Sequence, residues 1–170
     1  APIVKKNSTI GYSANVIDCP PTLKDREDTL QRVIDQTGAS AMHPYNDMDV
    51  IEGNSTAAIE LLEDCPDLDA IFAPVGGGGL ISGTCLAAKY FSNAKVYGAE
   101  PQRAADAYRS FQKGEIIPMV NPETIADGLR TSLGEIGFEI MKTHLNSIFT
   151  VSESEIISAM KWMWQKMKII

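Results

Sequence analysis

The sequence predicts an α/β fold with a mostly parallel sheet, and three observations carry that expectation. Short apolar runs alternate with amphipathic stretches; the connections between them are short; and a run of four glycines, Gly76 to Gly79, joins an apolar run to a helical pattern. Strand and helix in alternation with short connections imply crossover units, which place neighbouring strands parallel. In such sheets ligands sit at the C-terminal ends of the strands.

Residues 3–12 read as a helix and residues 14–19 as a short strand. A second helix is expected from about Thr22 to Thr37, with Leu23, Leu30, Val33 and Ile34 turned inward. Residues 38–44 read as a strand that ends at Pro44, and residues 56–65 as a helix. The run "AIFAPV", residues 70–75, has the look of a buried strand, and Leu80 to Phe91 carries apolar residues at helical spacing. "KVYGAE" adds a strand at residues 95–100; a helix is expected over about Ile136 to Leu145 and a strand at "SIFTV". Ser152 with Glu155 forms a capping box ahead of a last helix. On that helix Met160, Trp162, Met163, Trp164 and Met167 cover more than one face and read as core, or as surface covered by further chain.

Composition narrows the function. A net charge of −7, with no Lys/Arg cluster larger than a pair, argues against a nucleic-acid partner. No apolar run is long enough to cross a bilayer. The chain begins "APIVKK", without an initiator methionine or signal-peptide pattern, and reads as an excerpt. Cys19, Cys65 and Cys85 are odd in number and widely spaced, which suits reduced thiols and a cytoplasmic location.

Four glycines carry a large conformational cost, so something must offset it. Between a strand and a helix N-terminus, unpaired amides and the positive end of the helix dipole converge, and bare backbone admits an anion. Two anions remain open. A dinucleotide site would use Gly76 and Gly78 with Glu100 closing the next strand, although Ile81 stands where the third glycine belongs. A phosphate monoester needs only a compact cup of amides. A Walker A loop is excluded, because no Gly-Lys-Ser/Thr follows.

Four segments, "PVGGGGLISG", "HPYNDMDVIEGNSTAAIELL", "YGAEPQRAADAY" and "PETIADGLRTSLG", together resemble the serine racemase and threonine dehydratase family of fold-type II pyridoxal phosphate enzymes. The resemblance implies a three-layer, tryptophan synthase β-like fold, with residues 1–43 in a small mobile domain and 44–170 in a large cofactor-binding domain. It implies that Gly76, Gly77, Gly78 and Gly79 hold the phosphate of pyridoxal phosphate, and that Gly128 passes beside the cofactor ring. Glu100, the Ala104 carbonyl and Asp106 match the family's site for Mg²⁺, Mn²⁺ or Ca²⁺, whereas two acids six residues apart would otherwise read as solvated surface. His43, ahead of Pro44, matches a His-Pro pair at the domain crossing and reads as structural.

The family's activity is removal of the α-proton of a small amino acid, followed by racemisation or by β-elimination of water. A homodimer is implied for the full-length protein. The family's cofactor lysine, in a Ser-Phe-Lys stretch, is absent from this sequence, so no catalytic residue is assigned and the isolated chain is expected to be inactive. Where the family carries Gly-Gln-Gly-Thr, this chain has Gly53, Asn54, Ser55 and Thr56. Read as a loop at a helix N-terminus, Asn54, Ser55 and Thr56 either cap the helix or bind a second substrate carboxylate, giving an aspartate-preferring racemase. A non-catalytic phosphate-binding fragment and a dinucleotide-binding oxidoreductase domain are the remaining alternatives.

Overall fold

Helix boundaries follow the capping residues. The computed structural model describes residues 2–169, and for Leu23 the backbone alone. Helix α1 (Ile3–Gly11) follows Pro2; α2 (Leu23–Thr37) begins at Thr22, whose Oγ1 accepts the Asp25 N–H at 3.1 Å. Gly38, at φ 70°, ends α2 in the left-handed conformation that glycine adopts without strain. The chain divides into two compact units, Ala1–Ala41 and Met42–Ile170. Within the first, Lys6 pairs with Asp18 at 2.5 Å, and no described side chain is fully buried.

Several expectations fail in this region. Residues 14–19 and 38–44 form no strand, because a strand exists only where a neighbour completes its ladder, and neither segment has one. Leu30 is 45% exposed instead of inward, while Val33 and Ile34 are half-buried; the side chain of Leu23 lies outside the described residues.

In the second unit, α3 (Met48–Asp64) starts eight residues before the expected helix. Its cap is Asp47, whose Oδ1 accepts the N–H groups of Asp49 at 3.0 Å and Val50 at 3.3 Å. Ile51, Ala58 and Leu62 form its buried stripe. The elements β1 (Ala70–Pro74), α4 (Gly79–Phe91) and β2 (Lys95–Pro101) follow as expected; after them comes α5 (Asp106–Lys113), a further helix, and then the expected α6 (Glu135–His144), β3 (Ser147–Val151) and α7 (Glu153–Trp162). Short 3₁₀ turns at Gln102–Ala104 and Asp127–Leu129 link them.

The three strands are parallel in the order β1-β2-β3, with Ile71 opposite Val96 and Gly98 opposite Ile148. Because side chains alternate across a sheet, Ile71, Ala73, Val96 and Ile148 share one face and join Ile81, Cys85, Phe138 and Met141 of α4 and α6 in the core. The opposite face carries a row of Phe72, Tyr97 and Phe149, with neighbouring ring centroids 5.1 and 5.8 Å apart. β1 is therefore buried on one face only, and Phe72 is 63% exposed.

The capping box opening α7 forms as expected: Ser152 N–H donates to Glu155 Oε2 at 2.8 Å and Glu155 N–H to Ser152 Oγ at 3.3 Å. The helix runs into a π-helical turn, Met163–Met167. Met160, Trp162, Trp164 and Met167 are all exposed by half or more, so they do not belong to the core of the described residues.

Candidate phosphate cradle and acidic pair

The tetraglycine leaves the sheet at the C-terminal end of β1, where Val75 N–H still donates to Ala99 O at 2.9 Å. Gly78, at φ 96°, turns the chain into the first residues of α4, and all four glycines are buried. Steric walls explain why no side chain is present. A Cβ on Gly76 would lie 3.1 Å from Gly128 O and 3.3 Å from Leu129 Cα; one on Gly78 would lie 3.3 Å from Leu133 Cδ2. On the other side, a Cβ on Gly77 would fall within the Tyr45 ring, and one on Gly79 would lie 3.1 Å from Tyr45 Cβ and 3.2 Å from Asn54 Nδ2. The loop thus threads a slot with Leu129 and Leu133 on one side and Tyr45 and Asn54 on the other. The first-turn amides of α4 have no intrahelical acceptors and lie at the positive end of its dipole. Close walls, bare backbone and free donors together make a cradle for an anion.

Glu100 and Asp106 are not solvated surface acids, since both are 0% exposed. Glu100, on the buried face of β2, reaches the start of α5: Oε1 accepts the Ala107 N–H at 3.0 Å and Oε2 the Tyr108 N–H at 2.8 Å. Its carboxyl therefore caps α5 from the neighbouring strand. Asp106 Oδ2 accepts the Leu133 N–H at 3.3 Å, while Oδ1 is buried without a partner. Burial pushes both carboxyls above the usual range; for Glu100 the two amides act against that rise and the neighbouring Asp106 adds to it. Two adjacent buried acids with an orphaned oxygen fit a cation. No cluster of three or more His, Cys, Asp or Glu occurs among the described residues, so a cation here would also need carbonyls such as that of Ala104, and water.

The remaining sequence candidates fall as follows. Asn54, Ser55 and Thr56 stand inside α3, not at a helix N-terminus, because packing against α4 overrides their weak helix preference. Ser55 Oγ donates to Glu52 O at 2.6 Å and Thr56 Oγ1 to Gly53 O at 2.8 Å, so neither hydroxyl caps a helix or projects from a loop. Asn54 alone of the three reaches the cradle. Gly128 lies in the 3₁₀ turn beside Gly76, with nothing within 4 Å of where its Cβ would be. His43 Nδ1 accepts the backbone N–H of Asn46 at 2.9 Å and of Tyr45 at 3.4 Å. Sequence reading missed Tyr45, although it lies within the segment "HPYND", because its contact with Gly77 joins residues 32 positions apart. A separate apolar cavity of about 910 Å³ lies along α7, lined by residues including Ile156, Met160 and Trp164. Its lining does not include the tetraglycine.

Fold and loop define a class: a parallel α/β protein with a buried glycine-rich turn from β1 into α4. Residues 1–170 match the family of pyridoxal-phosphate dependent enzymes, and the chain belongs to that family. It is 47% identical over 173 residues to serine racemase of Dictyostelium discoideum, covering 100% of this chain and 53% of that protein. The crystal structure of that racemase superposes with a TM-score of 0.92, covering 100% of this chain and 55% of the other. The beta-hydroxyaspartate dehydratase of Paracoccus denitrificans (strain Pd 1222) is 43% identical over 171 residues, covering 100% of this chain and 54% of that protein. A threonine deaminase of T.th. is 39% identical in sequence with a TM-score of 0.92, covering 96% of this chain and 56% of that one. The chain spans about half the length of the curated relatives it matches. The dinucleotide alternative is not favoured, and the buried Glu100, bonded to two amides of α5, has no free carboxylate for a ribose.

Proposed function

We propose that the protein carrying this chain is a pyridoxal phosphate-dependent racemase or ammonia-lyase acting on a small hydroxy amino acid. The observation that carries this reading is the slot at Gly76–Gly79, where every Cβ would meet protein within 3.3 Å and the donors on offer are backbone amides. These glycines would hold the phosphate monoester, and Gly128, open on its Cβ side, would leave room for the cofactor ring. Bound there, the cofactor supplies an electron sink for the bond broken at the substrate's α-carbon. The chain's own part is to bind and orient: the amides fix the phosphate, and the walls hold the loop backbone in place.

Glu100, the Ala104 carbonyl and Asp106 hold one Mg²⁺, or Mn²⁺ or Ca²⁺ in its place. Support comes from the buried pair and the orphaned Asp106 Oδ1. The cation lies at the β2–α5 junction and acts on stability, by neutralising two buried acids. Asn54 remains a candidate for contact with bound substrate. Residues 1–43 belong to a small mobile domain and 44–170 to the cofactor domain of a cytoplasmic homodimer, without nucleic-acid or membrane partners. Among the described residues no helix is long and apolar enough to cross a membrane.

Incubation of the full-length protein with L-serine, L-threonine and threo-3-hydroxyaspartate tests the reading. Formation of the opposite enantiomer, or of keto acid with ammonia, is expected from at least one of them only when pyridoxal phosphate is present. Turnover unaffected by removing the cofactor would refute it.

A further inference from the structure

Gly77 and Gly79 face one aromatic side chain. The Tyr45 ring covers the Cα of Gly77, and Tyr45 Cβ and Cα lie 3.1 and 3.2 Å from where a Cβ on Gly79 would project. We propose that Tyr45 is a positioning residue for phosphate recognition: its ring, set against Gly77 and Gly79, holds the loop's peptide planes in the one orientation that presents their amides to the phosphate. This rests on the reading of the tetraglycine as the phosphate cradle.

A tetraglycine is free to rotate its peptide planes unless something blocks it. Here the obstruction comes from both sides. Leu129 and Leu133 stop the even positions, Gly76 and Gly78, and Tyr45 stops the odd ones. The segment bearing Tyr45 is itself held. His43 Nδ1 accepts the N–H groups of Tyr45 and Asn46, and the His43 ring meets the Tyr45 ring edge-on, with centroids 4.6 Å apart and planes at 90°. Asn46 Oδ1 accepts the Ile136 N–H at 3.0 Å at the start of α6, while Gly134 N–H, just ahead of that helix, donates to Gly77 O at 2.9 Å. Tyr45 and the carbonyl anchor of Gly77 are thus tied to the same helix end. The contact is made by the ring and Cβ, so Tyr45→Phe retains it and Tyr45→Ala removes it.

The test uses the full-length protein freed of cofactor, with pyridoxal phosphate and pyridoxal as paired probes in a fluorescence titration. Wild type is expected to bind the phosphorylated probe more tightly than pyridoxal. Tyr45→Ala should weaken pyridoxal phosphate by about tenfold or more while leaving pyridoxal within about twofold; Tyr45→Phe should leave both within about twofold. The ³¹P resonance of the bound cofactor should broaden or move in Tyr45→Ala and not in Tyr45→Phe. Equal weakening of both probes in Tyr45→Ala would assign the ring to the cofactor's ring instead and overturn the proposal, as would unchanged discrimination. If Tyr45→Ala does not fold, Tyr45→Leu carries the same comparison. Failure of the underlying reading is distinguishable: wild type itself would then fail to prefer the phosphorylated probe.

Discussion

Replacing Gly83 by Ala gives a sharp test of the packing that sets the cradle in place. Gly83 sits in α4 directly against the backbone of α3: a Cβ there would lie 2.6 Å from Ile51 O, 2.7 Å from Ser55 N and 2.9 Å from Asn54 C. Carbon contacts are optimal at about 3.5–4.0 Å, so α3 would have to retreat by about 1 Å, which forfeits about a quarter to a half of each contact along that seam. Overpacking of this kind costs about 1–3 kcal/mol, and the upper end applies because the obstacle is backbone. Alanine favours the helix by about 1 kcal/mol, leaving a loss of about 2 kcal/mol. In the full-length protein, about twice the length of this chain, that lowers Tm by about 2–4 °C. Gly53→Ala is the matched control, since Gly53 is also within a helix and has nothing within 4 Å of its Cβ position. It should raise stability by about 0.5–1 kcal/mol. Thermal melts of both variants in the full-length protein decide the matter. A Gly83→Ala variant as stable as wild type, or two variants shifted in the same direction, would refute the account of the α3–α4 contact.

The buried acids make stability depend on pH. Both carboxyls titrate above their unfolded values, so the folded protein holds more protons than the unfolded one between the usual carboxylate range and the raised values. Stability should therefore fall as pH rises through that window in the presence of a chelator, and Mg²⁺ should restore it; urea midpoints at about pH 5 and about pH 8 check this, and equal chelated midpoints would contradict it. Burial pushes the Cys85 thiol up to about 12, whereas Cys65 is exposed. Iodoacetamide should label Cys65 and spare Cys85 in the native protein, and comparable labelling by mass spectrometry would show that the α4 core is looser than described.

Local chemistry was legible in the sequence and through-space contact was not. The glycine loop, the three strands from residue 70 onward, α4 and the Ser152 capping box are each specified by neighbouring residues, and the structure forms them where expected. Residues 14–19 and 38–44 have strand-like composition, yet a ladder needs a partner that composition cannot supply. The start of α3 was hidden because Gly53, Asn54, Ser55 and Thr56 imitate a helix cap, while the actual cap, Asp47, lies six residues before Gly53. Glu100 and Asp106 show why a site resists sequence reading: carboxylates suggest surface, and their complete burial arises only when β2, α5 and the chain at Leu133 converge. The walls of the slot were likewise invisible, since Tyr45, Leu129 and Leu133 meet the tetraglycine only in space.

The most direct measurement follows the glycine amides themselves. In full-length protein labelled with ¹⁵N-glycine and freed of cofactor, saturating pyridoxal phosphate should shift the amide resonances of Gly77, Gly78 and Gly79 strongly downfield, as charge-assisted hydrogen bonds form to the phosphate. Pyridoxal should leave them nearly in place. Loop amides that do not respond to pyridoxal phosphate, with the large shifts clustered elsewhere in the chain, would contradict the assignment of this loop as the phosphate cradle.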